Sequence, residues 1–240
     1  MSTVEERSSA STATVVPRLV DGERLGRAEF HRRYEAMPPR TRAELVGGIV
    51  HMPSPMSADH GESTPDITIW LGLYRRRTPG VRQADGATLI LGEFGEPQPD
   101  ALLRIEPERG GSCFVNEENY LTGPPELIVE VARSSRPIDL GGKRDDYERA
   151  GVREYVVVAL DPDEVHWHVR RDDRLERIPP GPYGLYRSAA FPGLWLDPAA
   201  LLSGDLEGII AALERGLATL EHAAFVARLA DAAARPTNGT

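Results

Sequence analysis

Lysine is almost absent from this chain: of its 28 basic residues only Lys143 is not an arginine. Cysteine is equally scarce. The single thiol, Cys113, excludes an internal disulfide and any zinc motif built on paired cysteines, and it makes a cytoplasmic location the expectation. No apolar run approaches the length of a membrane span, and no apolar segment follows a basic start, so neither a membrane helix nor a signal peptide is expected. Positive charge is short as well. With 37 acidic residues the formal net charge is −9 and the pI about 5.2, which weighs against tight nonspecific binding to duplex DNA, because such binding rests on phosphate neutralisation by lysine and arginine. Part of that deficit is local if some carboxylates are held at a metal site, where they count as negative until a cation binds.

The one retained lysine is therefore informative. A guanidinium is effectively never deprotonated, whereas a compact ε-ammonium can shift its pKa, handle a proton or sit close to a charged site. Lys143 is a candidate catalytic group, against the plain alternative of one surface lysine surviving by chance. Upstream, the segment from Pro125 to Ala132 reads as a buried strand with Glu130 in its middle, and a carboxylate there is costly unless it is paired or holds a metal. Further upstream, Pro99 and Asp100 open a second strand running to Ile105, since proline fits only near a strand's start. A separation of 30 residues between Asp100 and Glu130 allows a loop and a return into a neighbouring strand, so that the two carboxylates face one another. Asp139 to Gly151 predicts a short helix stopped by glycine, with Lys143, Tyr147 and Ala150 on one face. Glu154 to Leu160 reads as another strand. Two carboxylates and a lysine on strand, strand and helix suit a metal-dependent phosphodiesterase: the carboxylates hold Mg²⁺, and the lysine orients water or stabilises developing charge.

The ordered series Glu44 to Val50, Pro53-Ser54-Pro55 with His60, Gln98-Pro99-Asp100, Glu130-Val131, and Gly142-Lys143-Arg144 through Tyr155 resembles the Uma family of restriction-endonuclease-like proteins, within the PD-(D/E)XK nuclease superfamily. The resemblance runs from about residue 25 to 200. It implies an α/β (α+β) fold, a restriction-endonuclease-like mixed β-sheet with flanking helices and a Mg²⁺ site at one end. It assigns Asp100 and Glu130 as acidic metal ligands, Lys143 as a catalytic lysine moved from the strand onto the following helix, and Glu44 as a further acidic ligand. His60 is either part of the site or a surface histidine at a helix start.

The rest of the chain gives one domain with two tails: residues 1–16 as a disordered segment, 17–204 as the restriction-endonuclease-like domain, and 205–240 as a C-terminal amphipathic helix and tail. An amphipathic helix over Arg27 to Met37 precedes a hairpin from Ala43 to Met52 that turns at Gly47-Gly48. A second helix is expected with Thr64 and Pro65 as cap and first turn, and strands near 87–91 and 99–105 follow. Residues 156–170 predict a hairpin about Asp161-Pro162-Asp163, on which His166 and His168 share one face, read as exposed. The run Arg75-Arg76-Arg77, with Arg82, either tracks a phosphate backbone or complements the helix dipole. From Leu206, apolar residues at 206, 210, 213, 217, 220, 224 and 227 step by four and three, a coiled-coil period that pairs the helix with its twin in a homodimer or folds it onto its own domain. The expected function is a Mg²⁺-dependent endonuclease, with Mn²⁺ as substitute, acting on DNA weakly or with a partner's help. The alternatives are a catalytically weak, dimeric nuclease-fold interaction module and a metal-dependent hydrolase of a smaller phosphodiester.

Overall fold

The computed structural model describes residues 16–39, 41–52, 58–93 and 95–234. The expected N-terminal tail up to Val15 and the Pro53-Ser54-Pro55 motif lie outside these residues, as does the side chain of His60. Helix α1 (Arg27–Glu35) lies on the hairpin β1 (Glu44–Val46) and β2 (Ile49–His51), burying Phe30 against Leu45 and Val50. The hairpin turns through Gly47 and Gly48 at φ of 57° and 76°, a conformation that favours glycine at both positions. Helix α2 (Ala58–Arg77) buries Ile67, Trp70, Leu71 and Tyr74, the face expected from their spacing. It begins before Thr64-Pro65, so Pro65 is internal rather than the opening turn. A proline forfeits one backbone bond, and the cap-like pair does not prevent helix on its N-terminal side.

The central sheet has the order β11-β10-β9-β8-β5-β3. Its members are β3 (Val81–Ala84), β5 (Ala101–Ile105), β8 (Leu127–Ala132), β9 (Glu154–Leu160), β10 (Asp163–Arg171) and β11 (Arg174–Ile178). All pairs are antiparallel except β8 with β9. Every residue of β8 is buried, as its uninterrupted apolar run demands of a strand covered on both faces. The crossover from β8 to β9 is helical: α3 (Arg136–Ile138), a π-helical turn (Asp139–Lys143) and α4 (Arg144–Ala150), ended by Gly151 at φ 94°. A small sheet of β4 (Leu89–Ile90), β6 (Phe114–Val115) and β7 (Leu121–Thr122) packs with α4 on one face of the large sheet. The edge strand β3 was not anticipated from the sequence, since its residues Val-Arg-Gln-Ala carry too little apolar alternation to signal a strand.

The other face carries α2 and the C-terminal helices α5 (Pro198–Leu202), α6 (Leu206–Leu217) and α7 (Leu220–Ala234), beside the short pair β12 (Tyr186–Arg187) and β13 (Trp195–Leu196). The single coiled-coil helix expected from residue 206 is thus two helices. Ile209, Leu213, Phe225 and Leu229 enter the same core as Trp70 and Trp167, whereas Leu220 of the expected stripe is 86% exposed. Asp205 caps α6 by accepting from the Gly208 amide, and the break after Leu217 resets the helical phase, so the apolar period read across it does not mark one face. The face bearing His166 and His168 is buried rather than exposed. Their rings stack 6.4 Å apart, and Tyr155 covers His168.

Glu154 opens β9 fully buried and accepts from the Ser188 hydroxyl and the Ala189 and Ala190 amides, tying the 188–191 loop to the sheet. Burial pushes its pKa up to about 7 despite these donors. A folded-state pKa above the unfolded one contributes stability that is complete below the unfolded value and is lost as pH rises through the folded one. Glu154→Gln is therefore expected to melt above the wild type at pH 8 and to lose that advantage below pH 4.5; thermal melts across this range check it. The packing of α7 gives a second expectation. Phe225→Ala should cost about 3–5 kcal/mol in denaturant unfolding, while Leu220→Ala costs close to nothing. The reverse order would restore the coiled-coil register.

Candidate active site

The elements converge at one end of the large sheet. The register pairs Ala101 with Val129, which sets Asp100, just ahead of β5, beside Glu130 in β8. The Asp100 amide donates to Glu130 Oε2 at 3.3 Å, and Asp100 Oδ2 accepts from the Val131 amide at 2.8 Å. Glu44 arrives on β1, and its Oε1 accepts from the Gln98 amide at 2.6 Å. The structure therefore brings together all four of the sequence-predicted residues: Lys143 Nζ lies 3.0 Å from Glu130 Oε1 and 3.1 Å from Glu44 Oε1. It also lies 3.5 Å from Asp139 Oδ1, a residue to which the sequence reading gave no site role. Its signal was legible, because Asp139 stands four residues before Lys143 on the same helical segment.

Local structure explains the convergence. The π turn widens the helix by one residue where Lys143 must point at the sheet. Gly142 packs so close to β1 that a Cβ there would meet Val46 Cγ1 at 3.1 Å, so glycine lets the helix approach the strand that carries Glu44. The hairpin turn is tethered to α4 by a hydrogen bond of 2.7 Å from the Gly47 amide to Asp146 Oδ2, and Arg149 pairs with the same carboxylate. A second support went unnoticed in the sequence. Glu96 exchanges both backbone bonds with Leu45, and its buried side chain meets His31 Nδ1 at 2.7 Å, fixing the segment that presents the Gln98 amide to Glu44. Tyr147, on the lysine face of α4, donates to Glu130 Oε1 at 2.9 Å.

The electrostatics are those of too many carboxylates around one cation. Burial disfavours the Lys143 ammonium, yet Glu130, Glu44 and Asp139 together outweigh that cost and hold its pKa well above the usual value. In the metal-free cluster Lys143 is thus held as a protonated hydrogen-bond donor. Burial lifts Glu130 well above the ordinary carboxylate range; Lys143 opposes this, and the charges of Asp100, Asp139 and Glu44 add to it. Asp139 is raised for the same leading reason, and its Oδ1 is buried without a hydrogen-bond donor. Among the described residues, no group of three or more histidine, cysteine or acidic side chains is arranged to hold a metal ion, and the Lys143 ammonium pairs with both Glu44 and Glu130. The chemistry of the donors nevertheless fits a hard divalent cation: all are carboxylate oxygens, negative charge is in excess, and one buried oxygen lacks a donor. Asp100, Glu130 and Glu44, with Asp139 beside them, are the residues that would hold it.

A family profile described as "Putative restriction endonuclease", Uma2, matches residues 27–199 and thus spans every residue of this cluster. The chain belongs to the Uma2 family. A search of curated proteins returned no match. Among solved structures, the fold is similar to that of a protein from Anabaena variabilis titled a putative nuclease of the DUF820 group, with 13% identity over 72% of this chain and 96% of the other, at a TM-score of 0.53. The profile gives the family, whose description is that of a restriction endonuclease, and the solved structure gives likeness of fold. No helix among the described residues is long and apolar enough to cross a membrane.

Because Glu130 titrates above its unfolded value in the folded chain, its contribution to stability is complete at low pH and is lost as pH rises through the folded pKa. Glu130→Gln should consequently raise the melting temperature of the protein in EDTA at neutral pH, with no gain at pH 4. A neutral-pH melt below the wild type's would show that the carboxylate stabilises the metal-free fold.

Proposed function

We propose that this chain is a divalent-metal-dependent endonuclease that hydrolyses phosphodiester bonds in DNA, with Mg²⁺ as cofactor and Mn²⁺ as its substitute. The observation that carries this reading is the single lysine of the chain, buried among Glu44, Glu130 and Asp139 with Asp100 next to Glu130. Burying Glu130 and Asp139, with Glu44 and Asp100 half-buried beside them, costs several kcal/mol of desolvation and repulsion, and one ammonium offsets only part of it. For stability alone, such a cluster is a poor arrangement. For holding a hard cation against a phosphate diester it is suited, because carboxylate oxygens are the donors Mg²⁺ takes.

Asp100 and Glu130 are the principal ligands in this reading and Glu44 completes the set. A bound divalent cation supplies charge neutralisation at the phosphate and makes water a stronger nucleophile at neutral pH. Lys143 stays protonated. It donates to oxygen where negative charge develops, and a buried donor is worth more there than one at the surface. Tyr147, through its bond to Glu130, positions that carboxylate. The exposed Leu220 at the start of α7 and the outer faces of the C-terminal helices leave association of two chains within this reading, to be measured by light scattering.

Supercoiled plasmid and short oligonucleotides are expected to be cut in Mg²⁺ or Mn²⁺, with little turnover in Ca²⁺, whose looser coordination positions water poorly. Lys143→Arg keeps the charge and loses the geometry, so cleavage should fall about a hundredfold or more while the circular dichroism spectrum is retained. Asp100→Asn and Glu130→Gln should each lower Mn²⁺ affinity, read by calorimetry, and abolish cleavage. Cleavage that persists in EDTA, or in the double Asp100→Asn, Glu130→Gln variant, would overturn the reading. Cleavage confined to a chromogenic small diester would move the substrate to a smaller phosphodiester, which the net charge of −9 opposes less than it opposes duplex DNA.

A further inference from the structure

Positive charge on this acidic chain is not spread evenly. A groove of about 1040 Å³ runs between α2 and the edge strand β3, and its walls hold Arg75, Arg76, Arg82 and Arg109 against only Asp85 and Glu106. Glu106 grips two of these arginines, Arg82 at 2.5 Å and Arg109 at 3.0 Å, and Arg109 also donates to the Leu229 carbonyl. These two are held in place by the fold. Arg75 and Arg76, exposed in the last turn of α2, form no ion pair among the described residues, so their charge is available to a ligand. Leaving these two without an ion-pair partner among the described residues, in a protein with nine more acidic than basic residues, gives the groove a local excess of cations.

The position of the groove gives that excess a use. Asp85 lines one end, and the next residue, Gly86, donates its amide to the carbonyls of Pro99 at 3.0 Å and Asp100 at 3.3 Å, so that end abuts the strand entrance carrying a cluster carboxylate. The other end is marked by Arg75 and Arg76. Between Thr68 and Arg75, both of which line the groove, α2 advances by about 10 Å at 1.5 Å per residue, the length of a few nucleotide steps. Because β3 is the last strand of its sheet, its outer side is open to a ligand.

We propose that this groove holds the DNA strand flanking the scissile phosphate, with Arg75 and Arg76 contacting its backbone and Arg82 and Arg109 shaping the wall. The proposal rests on the nuclease reading above. It also accounts for how an acidic protein engages a polyanion: the net charge opposes binding while the unpaired arginines of this groove favour it, so affinity is modest and salt-dependent. A chain of protein pairing with the edge of β3 would have no comparable need for unpaired arginines.

The test separates binding from chemistry. Anisotropy of a fluorescein-labelled DNA oligonucleotide is titrated in Ca²⁺ at several salt concentrations, using wild type, Arg75→Gln with Arg76→Gln, the matching Arg75→Lys with Arg76→Lys, and a control, Arg171→Gln with Arg174→Gln, which removes the same charge from the opposite edge of the sheet. Loss of two phosphate contacts should weaken binding roughly tenfold and lower the slope of log K against log salt by about 1.8. The lysine pair should restore both, the control should change little, and hydrolysis of bis-p-nitrophenyl phosphate in Mn²⁺ should match wild type in every variant. An unchanged slope in the glutamine pair, or an equal loss in the control, would overturn the groove while leaving the nuclease reading intact. Hydrolysis of the small diester by a wild type that binds no oligonucleotide would do the same. Absence of any hydrolysis by the wild type, with groove-dependent DNA binding retained, would instead overturn the catalytic reading and leave the groove standing.

Discussion

The ammonium of Lys143, held within 3.5 Å of the carboxylates of Glu44, Glu130 and Asp139, is the interaction on which the arrangement of this end of the molecule depends. Each of its partners comes from a different part of the fold: the β1–β2 hairpin, the centre of the large sheet, and the π-helical turn. One charge therefore ties a peripheral hairpin to the core strand and to the crossover helix. Removing it would leave the buried carboxylates of Glu130 and Asp139 with no cation, a costlier state than the intact cluster. Adding a divalent cation would relieve the same imbalance from the other side.

The scaffold places these groups without asking much of them individually. The parallel pair β8 and β9, joined by the helical crossover, fixes the distance between Glu130 and Lys143, and the antiparallel register of β5 fixes Asp100 beside Glu130. Gly142 and the Gly47 amide then allow the hairpin to close on the helix. Glu96 and His31, neither of which touches the lysine, hold the segment that orients Glu44. The opposite face of the sheet is filled by α2 and the C-terminal helices, so the groove along β3 is left at the edge, where arginines can line it without being buried.

Much of this was legible in the chain itself, because the relevant signals are short-range. The apolar run around Glu130 forces a covered strand; Pro99 marks a strand entrance; Gly151 stops a helix; Gly47-Gly48 turns a hairpin. The signals that failed were those in which a local pattern competed with packing. The stepped apolar residues from 206 onward describe one helix only if the helix continues through residue 218, and the structure breaks it there. The alternation of His166 and His168 correctly gave a shared face, but whether that face met solvent depended on Tyr155 of the paired strand β9 and on Arg136 of the helical crossover, some 30 residues away in sequence.

By itself the sequence determined that a carboxylate sits inside a strand, that a lone lysine follows it on a helix, and that the family pattern runs through both, since these are matters of residue type and spacing. Only the tertiary structure decided that Asp139 joins the cluster, that three carboxylates surround the Lys143 ammonium and raise its pKa, and that four arginines share one groove. Burial and net local charge set those properties, and both arise from atoms that are far apart in the chain and meet only when it is folded.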